Sequence, residues 1–185
     1  MTTAYLPPLS WWHQWLDEGM PPLDISVPCC KRQGLNHCEI DSPNGKLRLT
    51  VPIVKFDSNI CDKQLTIKDI RISEHGDWRH KHWHALQSSY YNSPYFEYYQ
   101  DDFRPLYERQ YEYLVEFNQA LIALCAELMG VSQITDTQRH ALLGNSKSRY
   151  SSPYYQVFAY KHGFLPDLSI IDLLMNVGPE SLLYL

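Results

Sequence analysis

The chain has 185 residues, 44% apolar and 20% charged, with a formal net charge of −5. That length fills one hydrophobic core and is short for two, so a single domain over 1–185 is expected. There is no dense Lys/Arg run, and no apolar stretch approaches the roughly 20 residues of a membrane span, which excludes a nucleic-acid backbone or a bilayer as the expected partner.

In chain order, Ser10 is placed to cap a short helix running through Leu16, ended by Pro21-Pro22. From Leu23 to Ile72 the signals are mostly those of strands. Leu47, Leu49 and Val51 alternate with Lys46, Arg48 and Thr50, the period of a half-buried strand. Pro43-Asn44-Gly45 marks a turn before it, with His37 to Ile40 as partner strand. Leu65, Ile67, Ile70 and Ile72 predict another strand, ending near His75-Gly76.

From Asp77 the pattern becomes helical. Trp78 to Tyr91 lacks Gly and Pro, Asp77 is positioned to cap it, and Asn92 to Pro94 breaks it. A long helix is predicted next, capped by Asp102 with Pro105 in its first turn. Tyr107, Tyr111, Leu114, Asn118, Leu121, Cys125 and Leu128 form its buried stripe, and Gly130 closes it. Residues 132–155 are polar and give no clear periodicity. Ser169-Ile170-Ile171-Asp172 has the layout of a capping box with Asp in place of Glu, opening a helix to Asn176 that Gly178-Pro179 stops. Strands followed by helices predict an α+β fold, a strand-rich part packed on the long central helix and on a second, histidine-bearing helix. A three-layer α/β arrangement is the alternative.

Fourteen Tyr and five Trp suit either an aromatic core or a cleft for a polar ligand such as a sugar. The five cysteines, Cys29, Cys30, Cys38, Cys61 and Cys125, contain no C-x-x-C pair. A zinc ribbon is thereby excluded, and with no signal-peptide layout at Met1-Thr2-Thr3-Ala4 they read as reduced thiols of a cytoplasmic protein.

The densest chemistry is Arg79-His80-Lys81-His82-Trp83-His84, with His75 just upstream. His80 and His84 share a helix face, as metal ligands do, but the glutamate of an H-E-x-x-H motif is missing, so no metal and no cofactor is assigned. At 100° per residue His82 falls between Trp78 and Leu86 inside the apolar sector, while His80 and His84 point nearly the other way. A buried imidazole is held neutral, which suits a general base near pH 7 and equally a core histidine bonded to a carbonyl or a tyrosine hydroxyl.

Several blocks together resemble the WbqC-like protein family of bacteria. They are Asn44 through Pro52, Ile67 through Ile72, Trp78 through Trp83, Tyr90, Ser93 through Tyr107, Phe117-Asn118, the tail Leu168 through Leu174, and Tyr5-Leu6-Pro7-Pro8 at the start. The resemblance implies a cytoplasmic protein associated with polysaccharide or O-antigen synthesis, acting on activated or amino sugars by acyl or aminoacyl transfer. Lys81, His82, Tyr90, Asn118 and Asp172 are the matching residues. Where the family shows an Arg-Asn-Arg-like triplet before the hairpin, this chain has Leu35-Asn36-His37, losing the guanidinium forks that grip phosphate or carboxylate.

The reading that results is a transferase on a sugar or nucleotide-sugar. His82 is its general base, Lys81 reaches an anionic group, and Asp172 completes the catalytic set unless it serves as a helix cap. Asn36, His37, Tyr90 and Asn118 contact substrate. Two alternatives stand beside it. One is a non-catalytic binding or assembly protein using the aromatic run Tyr90 to Tyr99, and the other a metal-dependent hydrolase.

Overall fold

The computed structural model describes residues 1–28, 34–55, 65–131 and 152–185. Helix α1 (Leu9–Asp17) forms because Leu9, Trp12 and Leu16 fall on one buried face. Its cap is not local. Pro8 occupies the N-cap position, and Asp167 accepts from the Ser10 backbone N–H at 2.8 Å and from its hydroxyl at 2.9 Å. Ser10 therefore lies inside the helix.

Strands β1 (His37–Ile40) and β2 (Leu47–Thr50) pair antiparallel, His37 opposite Thr50 and Ile40 opposite Leu47. The turn between them closes through Gly45 N–H to Ser42 O at 2.9 Å, with Gly45 at φ 95°, where a side chain would be strained. Glu39 accepts from Lys46 and Arg48 across the hairpin, which holds its carboxyl below the usual range.

The strand expected over 65–72 does not form. The Thr66 backbone N–H and hydroxyl both donate to the Asp69 carboxylate, at 2.9 and 2.7 Å, winding Ile67–Asp69 into a 3-10 turn. Among the described residues its strand pairing is limited to isolated bridges, Pro28 to Thr66, Ile53 to Ile72 and Arg71 to Tyr113. The strand-rich part thus reduces, among the described residues, to one hairpin, and no parallel ladder supports the three-layer alternative. The architecture is α+β.

Helix α2 (Trp78–Tyr90) buries Trp78, His82, Leu86, Ser89 and Tyr90. Asp77 precedes it in a left-handed conformation at φ 50°, and its carboxylate makes no capping bond. The long helix expected over 102–128 is two helices, α3 (Phe96–Glu108) and α4 (Leu114–Leu128). Asp102 and Pro105 lie inside α3. The break has a tertiary cause: Ile72 N–H donates to Glu112 O and Leu114 N–H to Ile70 O, both at 2.9 Å, so the segment between the helices extends to pair with 70–72. The buried stripe survives the break, except at Leu128, because Tyr107 and Tyr111 stay buried on either side of it.

Helix α5 (Ala159–His162) is one turn. Helix α6 (Ile170–Val177) is buried from Ile170 to Asn176 and packs on α2, α3 and α4. Its Ser169 cap is local, the Ser169 hydroxyl accepting from Ile171 N–H. A 3-10 segment (Gly178–Tyr184) follows. Gly178 has φ 65°, and a Cβ there would fall on the Tyr95 ring, well inside contact distance. Gly178→Ala is expected to lower stability by about 2–3 kcal/mol through backbone strain and overpacking, read by urea unfolding.

Candidate functional site

The buried face of α2 positions two separate clusters. At its first turns His82, 6% exposed, is held between the edge of Trp78 (5.2 Å between centroids) and Tyr5. The Tyr5 hydroxyl lies 3.0 Å from His82 Nδ1 and 2.8 Å from the Tyr107 hydroxyl, forming a buried chain of three groups. The Thr50 carbonyl favours the protonated form of the ring, and Nδ1 and the Tyr5 hydroxyl share one proton between them. Burial pushes the ring down to about 4, against the smaller upward pull of that carbonyl. His82 is thus neutral at pH 7, and it lines none of the cavities described below.

Eight residues further along α2, about 12 Å at 1.5 Å per residue, Tyr90 enters the second cluster. Asp172, 0% exposed, accepts from the Tyr90 hydroxyl at 2.8 Å, the Tyr154 hydroxyl at 2.6 Å and Gln156 Nε2 at 3.0 Å. Gln156 is itself clamped to the Leu165 backbone by two bonds of 2.9 Å. Burial raises Asp172 to about 6, outweighing these three bonds, and the Asp41 carboxylate adds to the rise. Asp41, 1% exposed, lies 3.1 Å from His162 Nε2 and is also raised by burial. The Asp172 carboxylate takes no part in capping α6.

A groove of about 650 Å³ opens between the first half of α2 and the end of α3. Trp78, Trp83 and Tyr107 supply its aromatic wall, with His80, His84 and Gln87 along the α2 side. Arg79, 13% exposed, lies over the Trp78 ring and bonds Glu74 with both terminal nitrogens. Arg104 pairs with Glu108 at 2.7 Å. The groove and the His82 chain share Tyr107, and Trp78 lines the groove while packing on the His82 ring. A second hollow, about 460 Å³, opens between α1 and β1 and is lined by His37, Glu39, Ser10 and Asp167.

Comparison with known proteins bears on what these features serve. The model of the WbqC-like protein family matches residues 5–150. This chain belongs to the WbqC-like family. No curated protein and no solved structure matches it. The matched range takes in the His82 chain, the groove and Tyr90, and it ends before Tyr154, Gln156 and Asp172.

The remaining candidate site residues are dispersed. Asn36 donates to Val51 O at 2.9 Å just past the end of β2, and Asp172 belongs to the other cluster. Asn118, 0% exposed, donates to Leu35 O at 2.9 Å, the same carbonyl that accepts from Tyr5 N–H. Lys81 is exposed and lines none of these cavities, and His37 lies in the second hollow, away from the groove. His80 and His84 are both exposed. Sequence reasoning missed Tyr5, Tyr107, Asp41, Tyr154 and Gln156. Tyr5 and Tyr107 stood within the family blocks, whereas Tyr154 and Gln156 carried no local signal. Cys38 and Cys125 are buried free thiols, raised by burial, and Cys29, Cys30 and Cys61 lie outside the described residues, as does 132–151 of the segment without periodicity. Among the described residues, no helix is long and apolar enough to cross a membrane and no three His, Cys, Asp or Glu side chains gather as metal ligands.

Proposed function

We propose that this WbqC-like protein is a transferase that binds an activated or amino sugar in the groove between α2 and α3 and moves an acyl or aminoacyl group onto it. The supporting observation is the groove's wall, where aromatic rings stand beside two guanidinium–carboxylate pairs. A pyranose stacks its apolar face on indole and offers hydroxyls to such pairs, and the exposed Arg104 fork suits a phosphate or carboxylate. In the reaction the sugar's amine or hydroxyl attacks the donor carbonyl. The new C–N or C–O bond forms, the donor's leaving group departs with its electron pair, and the released proton passes to water in the open groove.

In this reading His82 acts as a positioning residue. His82 lines none of the described cavities, and its Nδ1 is taken by the Tyr5 hydroxyl. The ring's contribution is therefore to hold Tyr5, and through it Tyr107, at the groove wall.

The test is calorimetric titration of nucleotide-linked and free amino sugars, with mass detection of product when an acyl donor is supplied. Arg104→Ala and Trp83→Ala are each expected to weaken binding by about tenfold or more, about 1.4 kcal/mol. His82→Asn should keep kcat within about tenfold of wild type, against the 10²–10⁴-fold loss expected of a general base. Absence of binding by either sugar class at millimolar concentration refutes the reading.

A second reading, a binding or assembly protein, is favoured by the exposed aromatics around Tyr95. Tyr98 is 73% and Tyr155 59% exposed, and Tyr95 contacts Tyr98 while sharing a hollow with Tyr155. It predicts ligand binding without product.

A further inference from the structure

His80 and His84 stand one turn apart on the solvent side of α2, at the edge of the groove. Their Nε2 atoms are 3.0 Å apart, with the rings 4.2 Å between centroids and inclined at 76°. Two nitrogen lone pairs repel at that separation unless a proton or a cation lies between them. On the far side of His80, Asp77 Oδ2 is 3.7 Å from Nδ1. At that distance the carboxylate makes no hydrogen bond to the ring, but its charge favours a cation on the histidine pair.

We propose that His80 and His84 form a two-histidine seat for a divalent transition metal ion of tetragonal or octahedral preference, Ni²⁺ or Cu²⁺, whose remaining coordination positions face the groove. The ion class follows from the ligands, since imidazole sites bind Ni²⁺ and Cu²⁺ most tightly among the first-row divalent ions, and the geometry accommodates them. At metal–nitrogen distances of about 2.0–2.1 Å, a 3.0 Å nitrogen separation subtends about 91–97° at the ion, near the right angle of cis ligands in those geometries. A tetrahedral ion requires the nitrogens about 3.3 Å apart at the same bond length. Among the described residues no third side chain completes the set, so water or an oxygen of a groove ligand fills the open positions. Arg79 and Arg104 neutralise Glu74 and Glu108, which leaves Asp77 as the excess negative charge of the groove's carboxylate and guanidinium groups, favouring a cation. The inference holds whether or not the groove takes a sugar.

The test titrates Ni²⁺ into the full-length reduced protein by calorimetry, with histidine ring NMR spectra recorded alongside. One ion is expected to bind, and the paramagnetic centre broadens the His80 and His84 ring signals at substoichiometric metal before those of any other histidine. His80→Ala and His84→Ala should each weaken binding at least tenfold, and Asp77→Asn by a smaller factor through loss of a nearby negative charge. Lys81→Ala, on the same exposed stretch, should bind as wild type does. All four positions are exposed, so the variants fold. Unchanged Ni²⁺ affinity in the two alanine variants, or ring signals of His80 and His84 untouched at millimolar Ni²⁺, overturns the proposal in favour of a simple histidine–histidine hydrogen bond.

Discussion

Asp172→Ala is expected to destabilise the protein by about 3–5 kcal/mol, because it strands three buried donors at once. The hydroxyls of Tyr90 and Tyr154 and the Gln156 amide all converge on that carboxylate, and Asp172 is 0% exposed, so no bulk water replaces it. Asp172→Asn tests the electrostatic part separately, since an amide keeps the volume and can bond hydroxyls while staying neutral. The folded-state pKa of Asp172 is raised to about 6 from 3.8, so the native state binds more protons than the unfolded state between those values. Its contribution is therefore fully present below about 3.8 and lost as pH rises through 6, a change of about 3 kcal/mol. The wild type is expected to lose that amount, relative to Asp172→Asn, between pH 4 and pH 7 in urea unfolding. His82, lowered to about 4, works in the opposite direction over much of the same window, stabilising as pH rises. Because both proteins contain His82, its effect cancels in the difference. A pH-independent gap between wild type and Asn variant would mean Asp172 is ionised throughout.

Phe117→Ala is expected to cost about 3–5 kcal/mol, the usual penalty for deleting a fully buried ring. Phe117 is 0% exposed, and its ring lies within 5.2–5.7 Å of Tyr111, Trp78, Tyr5 and Tyr107. It backs the residues that fix His82 and two of the rings lining the groove. Phe117→Leu retains most of the volume and should cost about 1.5 kcal/mol. The alanine variant should also weaken any ligand of the groove, since Trp78 and Tyr107 lose the surface they pack on. A loss below about 1 kcal/mol in urea unfolding would show that the cluster collapses around the cavity.

The elements that were legible in the sequence share one property, that neighbours along the chain decide them. The hairpin followed from alternation and Asn44-Gly45, the body of α2 from an uninterrupted helical stretch, and α6 from Ser169 and Gly178. Projection of α2 separated the His82 direction from that of His80 and His84 because a helix of known pitch leaves no other freedom. Where local signals misled, a distant partner had taken the group in question. Asp167 caps α1 from the other end of the chain, pairing with 70–72 splits α3 from α4, and the Asp172 side chain leaves its own helix for Tyr90, Tyr154 and Gln156.

Local sequence alone established the α+β class and which helix carries the histidines, since periodicity and turn chemistry act over a few residues, and blocks of sequence carried the family resemblance. Only the tertiary structure decided that His82 ends a buried hydroxyl chain, that Asp172 belongs to a separate cluster, and that the open groove lies beside the outward histidines. Those outcomes depend on contacts between groups as far apart as Tyr5 and Tyr107, or Tyr90 and Asp172. A buried polar group bonds whatever partner the packing of the whole chain brings within reach, and no local pattern specifies which one that is.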